Sequence, residues 1–164
     1  MTLVPPFRHG YTIFCDDIRP EVGNKISYMG VYNGLFIPDQ ALPMALPKLV
    51  AAVHFLEPAA DAPLDLTVRV FGPGQEDEDD PLFQLLVPNS APVNKDLVPD
   101  LPLEKQVRQL VIPVTFTPFV INSAGRMRAH VQRGDEIYPC GSLLITDVGG
   151  LSVASASDGA SPSS

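Results

Sequence analysis

The stretch RMRAHVQR, residues 126–133, decides the fold. Met127, Ala129 and Val131 alternate with the polar Arg126, Arg128, His130 and Gln132. Successive side chains of a strand point to opposite faces, so this period of two is that of a strand with one face in a core. LDLTVRV at 64–70 repeats the pattern, with Leu64, Leu66, Val68 and Val70 directed inward and Asp65, Thr67 and Arg69 outward. No helical stripe supplies the crossovers of a parallel sheet, so the strands are expected to be antiparallel.

Working outward, YTIFCDD (11–17), KISYMGVYNGLFI (25–37, broken near Asn33-Gly34), KLVAAVHFLE (48–57), LFQLLVP (82–88), LVIPVTFTPFVI (110–121) and EIYPCGSLLITD (136–147) read as further strands. Pro113 and Pro118 give no N–H to a ladder, which places 110–121 at an edge or at bulges. LEKQVRQL at 103–110 either starts helically or leads into that strand. IRPEVGN (18–24), the three-proline PDQALPMALP (38–47), the acidic GPGQEDEDDP (72–81) and the segment 88–102 read as loops and turns. The expectation is an all-β fold: an antiparallel β-sandwich of about eight strands, immunoglobulin-like or C2-like, in one domain over 1–148. Residues 149–164 are small and polar, and are expected to form a disordered tail.

The chain has 18 prolines and 12 glycines among 164 residues, which punctuate it too often for long helices. A formal net charge of −8 argues against nucleic acid and against anionic membrane surfaces. Pro5 and Pro6 interrupt the N-terminal segment, so no signal peptide is read there, and a cytoplasmic location is expected. Cys15 and Cys140 are then expected as buried thiols.

No nucleophile elbow, phosphate-binding loop or zinc-protease motif is present, so no catalytic, cofactor-binding or metal-binding residue is assigned. His9, His54 and His130 are scattered without the short spacing of zinc ligands, and His54 reads as a hydrogen-bonded core residue. Adjacent Asp16 and Asp17 point to opposite faces of a strand and make no acid/base pair. They read as a structural corner, with Arg19, Glu21 and Lys25 pairing across the 18–24 loop. If Asp16 is buried, its nearest cations in sequence are Arg19 and Lys25. Tyr28 and Tyr32 are expected on one face, with Gly30 between them giving room for a close approach. Arg126, Arg128 and His130, with Arg133 just beyond the alternation, form a basic strip facing an acidic partner or the protein's own acidic loop. These residues are the candidate binding positions.

The segment FCDDIRPEVGNKISYMGVYNGLFIP (14–38) resembles the opening of an uncharacterised family of short bacterial and phage-associated proteins, which begin with C-D-D-x-R-x-E and continue into a second strand ending in G-x-Y. The later GRMRAHV is similar to that family's G-R-Y-R-F strand, with Met127 at its aromatic position and Asn24 inserted between Gly23 and Lys25. The resemblance implies a small β-sandwich and no activity. The expected function is a non-enzymatic binding or assembly module with a protein partner or self-association. A calcium- or metal-dependent domain using Asp16, Asp17 and the acidic run Glu76–Asp80 is the alternative. A hydrolase with an unrecognised site stands third.

Overall fold

The computed structural model describes residues 8–88 and 102–148 of the chain. Within them run β1 (His9–Cys15), β2 (Asp17–Glu21), β3 (Lys25–Met29), β4 (Leu35–Phe36), β5 (Met44–Leu46), β6 (Leu49–Pro58), β7 (Leu66–Phe71), β8 (Phe83–Val87), β9 (Val107–Phe116), β10 (Phe119–Ile121), β11 (Gly125–Arg133) and β12 (Glu136–Ile145). The fold is all-β, as expected. One sheet has the order β1-β6-β9 and a second the order β4-β12-β11-β7-β8; β2-β3 and β5-β10 form two-stranded pairs. Every pairing is antiparallel except the two-residue β4–β12 contact.

The strand count exceeds the expected eight. Residues 18–21 are strand rather than loop, because they find a partner in β3. Met44–Leu46, inside the proline-rich segment, pairs with β10. Residues 25–37 divide at Gly30 into β3 and β4, and 110–121 divides at Thr117-Pro118 into β9 and β10. Residues 103–105 make a single 3-10 turn before β9 begins. The tail 149–164 lies outside the described residues. Among those described, no helix is long and apolar enough to cross a membrane.

The main core lies between the three-stranded and five-stranded sheets. Phe14, Ala51, Val53, Phe55, Ile112 and Val114 meet Leu66, Val68, Val70, Met127, Ala129, Val131 and Leu143 there. Each large aliphatic or aromatic side chain so buried contributes roughly 1.5–3 kcal/mol. β1 packs on β12 closely enough that a Cβ on Gly10 would stand 2.2 Å from the Cys140 sulfur. Cys15 and Cys140 are buried free thiols, and burial pushes Cys140 up to about 11.

Two alternations need correction. β7 starts at Leu66, so Leu64 precedes the strand and is exposed. Arg133 is buried rather than part of the outer basic strip, because it shares the inward parity of Val131 and lies against the buried Glu57 of β6. Glu57 is also paired with Arg108, its register partner on β9.

Candidate functional site

β2 and β3 pair only with each other, and their three-residue turn holds Gly23 and Asn24 at positive φ (81° and 57°), values that glycine and asparagine adopt most readily. The hairpin covers the outer face of the three-stranded sheet. Ile18 and Tyr28 pack on a second small cluster, Cys15, Val50 and Ala52. Burial raises the Cys15 thiol pKa, with Asp16 adding to the effect.

Polar contacts fasten this hairpin. Lys48 Nζ donates to Asp17 Oδ1 at 2.5 Å, and Arg19 Nε to Oδ2 at 3.2 Å. These bonds, led by that from Lys48, hold the Asp17 carboxyl down at about 2. Arg19, expected as a cation for a buried Asp16 or as a partner across the 18–24 loop, lies on Asp17 instead, together with Lys48 from 31 residues away. Glu21 and Lys25 face each other across the register at the turn end.

Beyond the apolar cluster, the His54 ring lies flat on Tyr11, with centroids 4.5 Å apart and planes 7° from parallel. Its Nε2 is 2.8 Å from Tyr28 Oη, and its Nδ1 is 3.1 Å from Gln109 Nε2. An amide N–H can only donate, so Nδ1 accepts; the neutral ring then carries its proton on Nε2 and donates it to the Tyr28 oxygen. Burial lowers the His54 pKa and keeps the ring in that neutral form. Burial likewise raises the Tyr28 pKa.

Two recesses open between the hairpin and β9. One, of about 540 Å³, is lined by Asn24, Ile26, His54, Gln109 and Val111. The other, of about 260 Å³, is lined by Ile18, Pro20, Ile26, Val111 and Pro113. They share Ile26 and Val111 as lining residues, so a polar and an apolar recess adjoin at these two side chains.

Asp16 and Asp17 diverge, as the alternation requires. Asp16 is exposed and accepts from Tyr32 Oη at 2.5 Å. A Cβ on Gly30 would stand 1.9 Å from Asp16 Oδ2, so the room at Gly30 is taken by this carboxylate. Gly30 has φ +64°, and the chain reverses its facing there. Tyr32 consequently packs on the main core, whereas Tyr28 packs on the small outer cluster. The expectation that the two tyrosines share a face fails at that glycine. Burial, reinforced by the bond to Asp16, raises the Tyr32 pKa.

The basic strip faces the protein's own acidic turn. Arg128 Nη1 lies 3.1 Å from Asp77, its Nη2 donates to the Gln75 carbonyl, and its guanidinium lies 5.7 Å from the Phe71 ring centroid. Arg126 donates to Ser142 Oγ at 3.2 Å. His130, expected in solvent, is half-buried beside Phe71 and 3.9 Å from Asp77. Its pKa is lowered by burial, partly offset by Asp77. Asp79 accepts from the Glu76 N–H at 2.6 Å, which shapes the turn from within. Among the described residues, no three His, Cys, Asp or Glu side chains come together as a metal-ligand set.

The turn leads into β8, whose described pairing is to β7 alone. Between residues 83 and 87 β8 has no charge and no proline, and Leu85 and Leu86 are 41% and 60% exposed. His54 reads from sequence as a hydrogen-bonded core residue, and it is buried with both ring nitrogens bonded; Gln109, Tyr11 and the edge position of β8 were not singled out. The one available signal was parity, which places Tyr11 with Ile13 and Cys15, and His54 with Val50 and Ala52. Comparison with family models, curated proteins and solved structures finds no match to this chain.

Proposed function

We propose that the chain is a non-enzymatic protein-recognition module that takes up an extended segment of a partner along β8. One observation carries the reading: among the described residues β8 lies at a sheet edge, and from Phe83 to Val87 it holds no charge, proline or bulge of the kind that normally blunts an edge. Added strands gain main-chain hydrogen bonds there, while alternate side chains supply specificity. The exposed Glu76, Glu78 and Asp80 stand immediately before β8 and favour a partner strand flanked by basic residues. The same acidity, on a chain of net charge −8, disfavours a second copy as the occupant. The resemblance to short bacterial and phage-associated β-sandwich proteins belongs to this proposal, and is consistent with a binding role in the cytoplasm.

The test is amide hydrogen exchange of the full chain with a capped peptide of alternating valine and threonine ended by two lysines. Protection of β8 amides, lost when the lysines are replaced by glutamates, is the expected result. Unchanged β8 exchange, equal binding of the glutamate peptide, or a dimer formed through β8 would overturn it.

A further inference from the structure

A second surface, on the other sheet, has its own chemistry. None of the eight residues lining the cleft made by the two adjoining recesses is an Asp, Glu, Lys or Arg, in a chain where such residues make up 18%. Its one titratable side chain, His54, is held neutral. The cleft therefore offers a bound group neither an ion pair nor a fixed charge of either sign.

What it does offer is a positioned carboxamide. Gln109 spends one N–H on His54 Nδ1, and that ring is itself held by the Tyr11 stack and by Tyr28 Oη. The Gln109 side chain is thereby anchored, and no other bond to the described residues takes up its carbonyl oxygen and second N–H. A donor and an acceptor side by side form the edge that pairs with another amide. Asn24 lines the same recess as Gln109. From there the walls turn apolar through Ile26 and Val111 to Ile18, Pro20 and Pro113. A few placed polar groups in a recess of about 540 Å³, beside an apolar one of about 260 Å³, resemble the usual make-up of a small-molecule site. Eight lining residues are far fewer than the roughly 20–30 a side of a standard protein interface.

We infer that this cleft binds a small uncharged ligand with an amide edge and an apolar arm, the amide against Gln109 and the arm against Ile26, Val111 and Pro113. The hairpin forms one wall, so its fastening by Lys48–Asp17 and Tyr28–His54 fixes the width of the site.

The experiment titrates isotopically labelled full-length chain with N-acetyl-leucinamide and, separately, with the N-acetyl-leucine anion, and follows the NMR signals of the Gln109 side-chain amide, the His54 ring and the Val111 amide. The neutral amide is expected to shift these signals saturably by about 20 mM, a range suited to a fragment of its size. The anion should bind at least about tenfold more weakly, equivalent to losing one of the polar pairings. Gln109→Leu should remove the discrimination between the two probes, and Ile26→Lys, on the exposed hairpin, should weaken both. The assignment is overturned if the two probes bind alike, if shifts map outside the cleft, if none saturates, or if both variants bind as the parent does. β8 lies in the other sheet, so failure here leaves the strand-addition reading standing, and the reverse holds as well.

Discussion

Arg133 on β11 and Glu57 on β6 are joined across the two sheets by a 2.7 Å ion pair, with side chains 6% and 0% exposed. Arg108 Nη2 reaches the other Glu57 oxygen at 2.6 Å, and Arg133 Nη2 also donates to the Ala62 carbonyl at 2.6 Å. One carboxylate thus ties β6 to its neighbour β9 and to the opposite sheet. The geometry satisfies a charge that would otherwise be costly to bury.

Removing that carboxylate leaves two guanidinium groups facing each other in the interior. Glu57→Ala is expected to cost about 3–5 kcal/mol in urea unfolding, the range for stranding a buried charge. Replacing all three residues together with Leu or Met should cost far less, since a packed apolar trio of similar volume is often neutral. A triple variant as unstable as the single one would refute the view that unpaired charge, rather than lost packing, dominates.

Gly30→Ala acts through a different term. The left-handed backbone costs an alanine roughly 1–2 kcal/mol, and its methyl would displace the Asp16 carboxylate from Tyr32. The expected loss is about 2–3 kcal/mol in all. In the Asp16→Ala background, where the space is vacated, the same change should cost only the backbone part. Equal costs in the two backgrounds, measured by chemical unfolding, would show that the carboxylate contact is irrelevant.

Acid should weaken the fold in two phases. Burial lowers the folded pKa of His54, and that of His130, below the ordinary 6.5. The unfolded chain then binds more protons, so this stability is complete above about 6.5 and is lost as pH falls through the lowered folded values. Asp17 follows at lower pH. Its contribution is present above the ordinary 3.8 and disappears as pH falls through about 2. Melting temperature against pH for the parent, His54→Gln and Lys48→Met checks both phases. The first variant should flatten the decline below neutrality, and the second should shrink the phase below pH 4. A His54→Gln profile that falls as steeply as the parent's would contradict the first assignment.

The half-buried strands were legible because their alternation is local. β11 buries Met127, Ala129 and Val131 as the period of two demands. Arg133 obeyed the same parity, but its charge suggested solvent, and only the distant Glu57 explains why it lies inside. The hairpin is the converse case. Residues 18–21 have little strand character alone; they form β2 by pairing with β3, in a hairpin that Asp17–Lys48, Tyr28–His54 and the Cys15 cluster hold on the sheet. Asp16 and Asp17 were separable from sequence, since adjacent positions must diverge. Their partners Tyr32 and Lys48 were not, because a reversal at Gly30 and a separation of 31 residues leave no periodic trace. The cleft likewise unites β2, β3, β6 and β9, which no single window of sequence contains.

β6 is apolar at nearly every position because both of its faces are covered, one by the main core and the other by the hairpin. It is also the central strand of its sheet, hydrogen-bonded along its length to β1 and β9. No local fluctuation can expose its amides without first lifting the hairpin or parting a neighbour. Its backbone should therefore be the last to exchange with heavy water, at the free energy of global unfolding, while the amides of β2 and β3 exchange through a smaller opening that leaves the rest of the molecule intact.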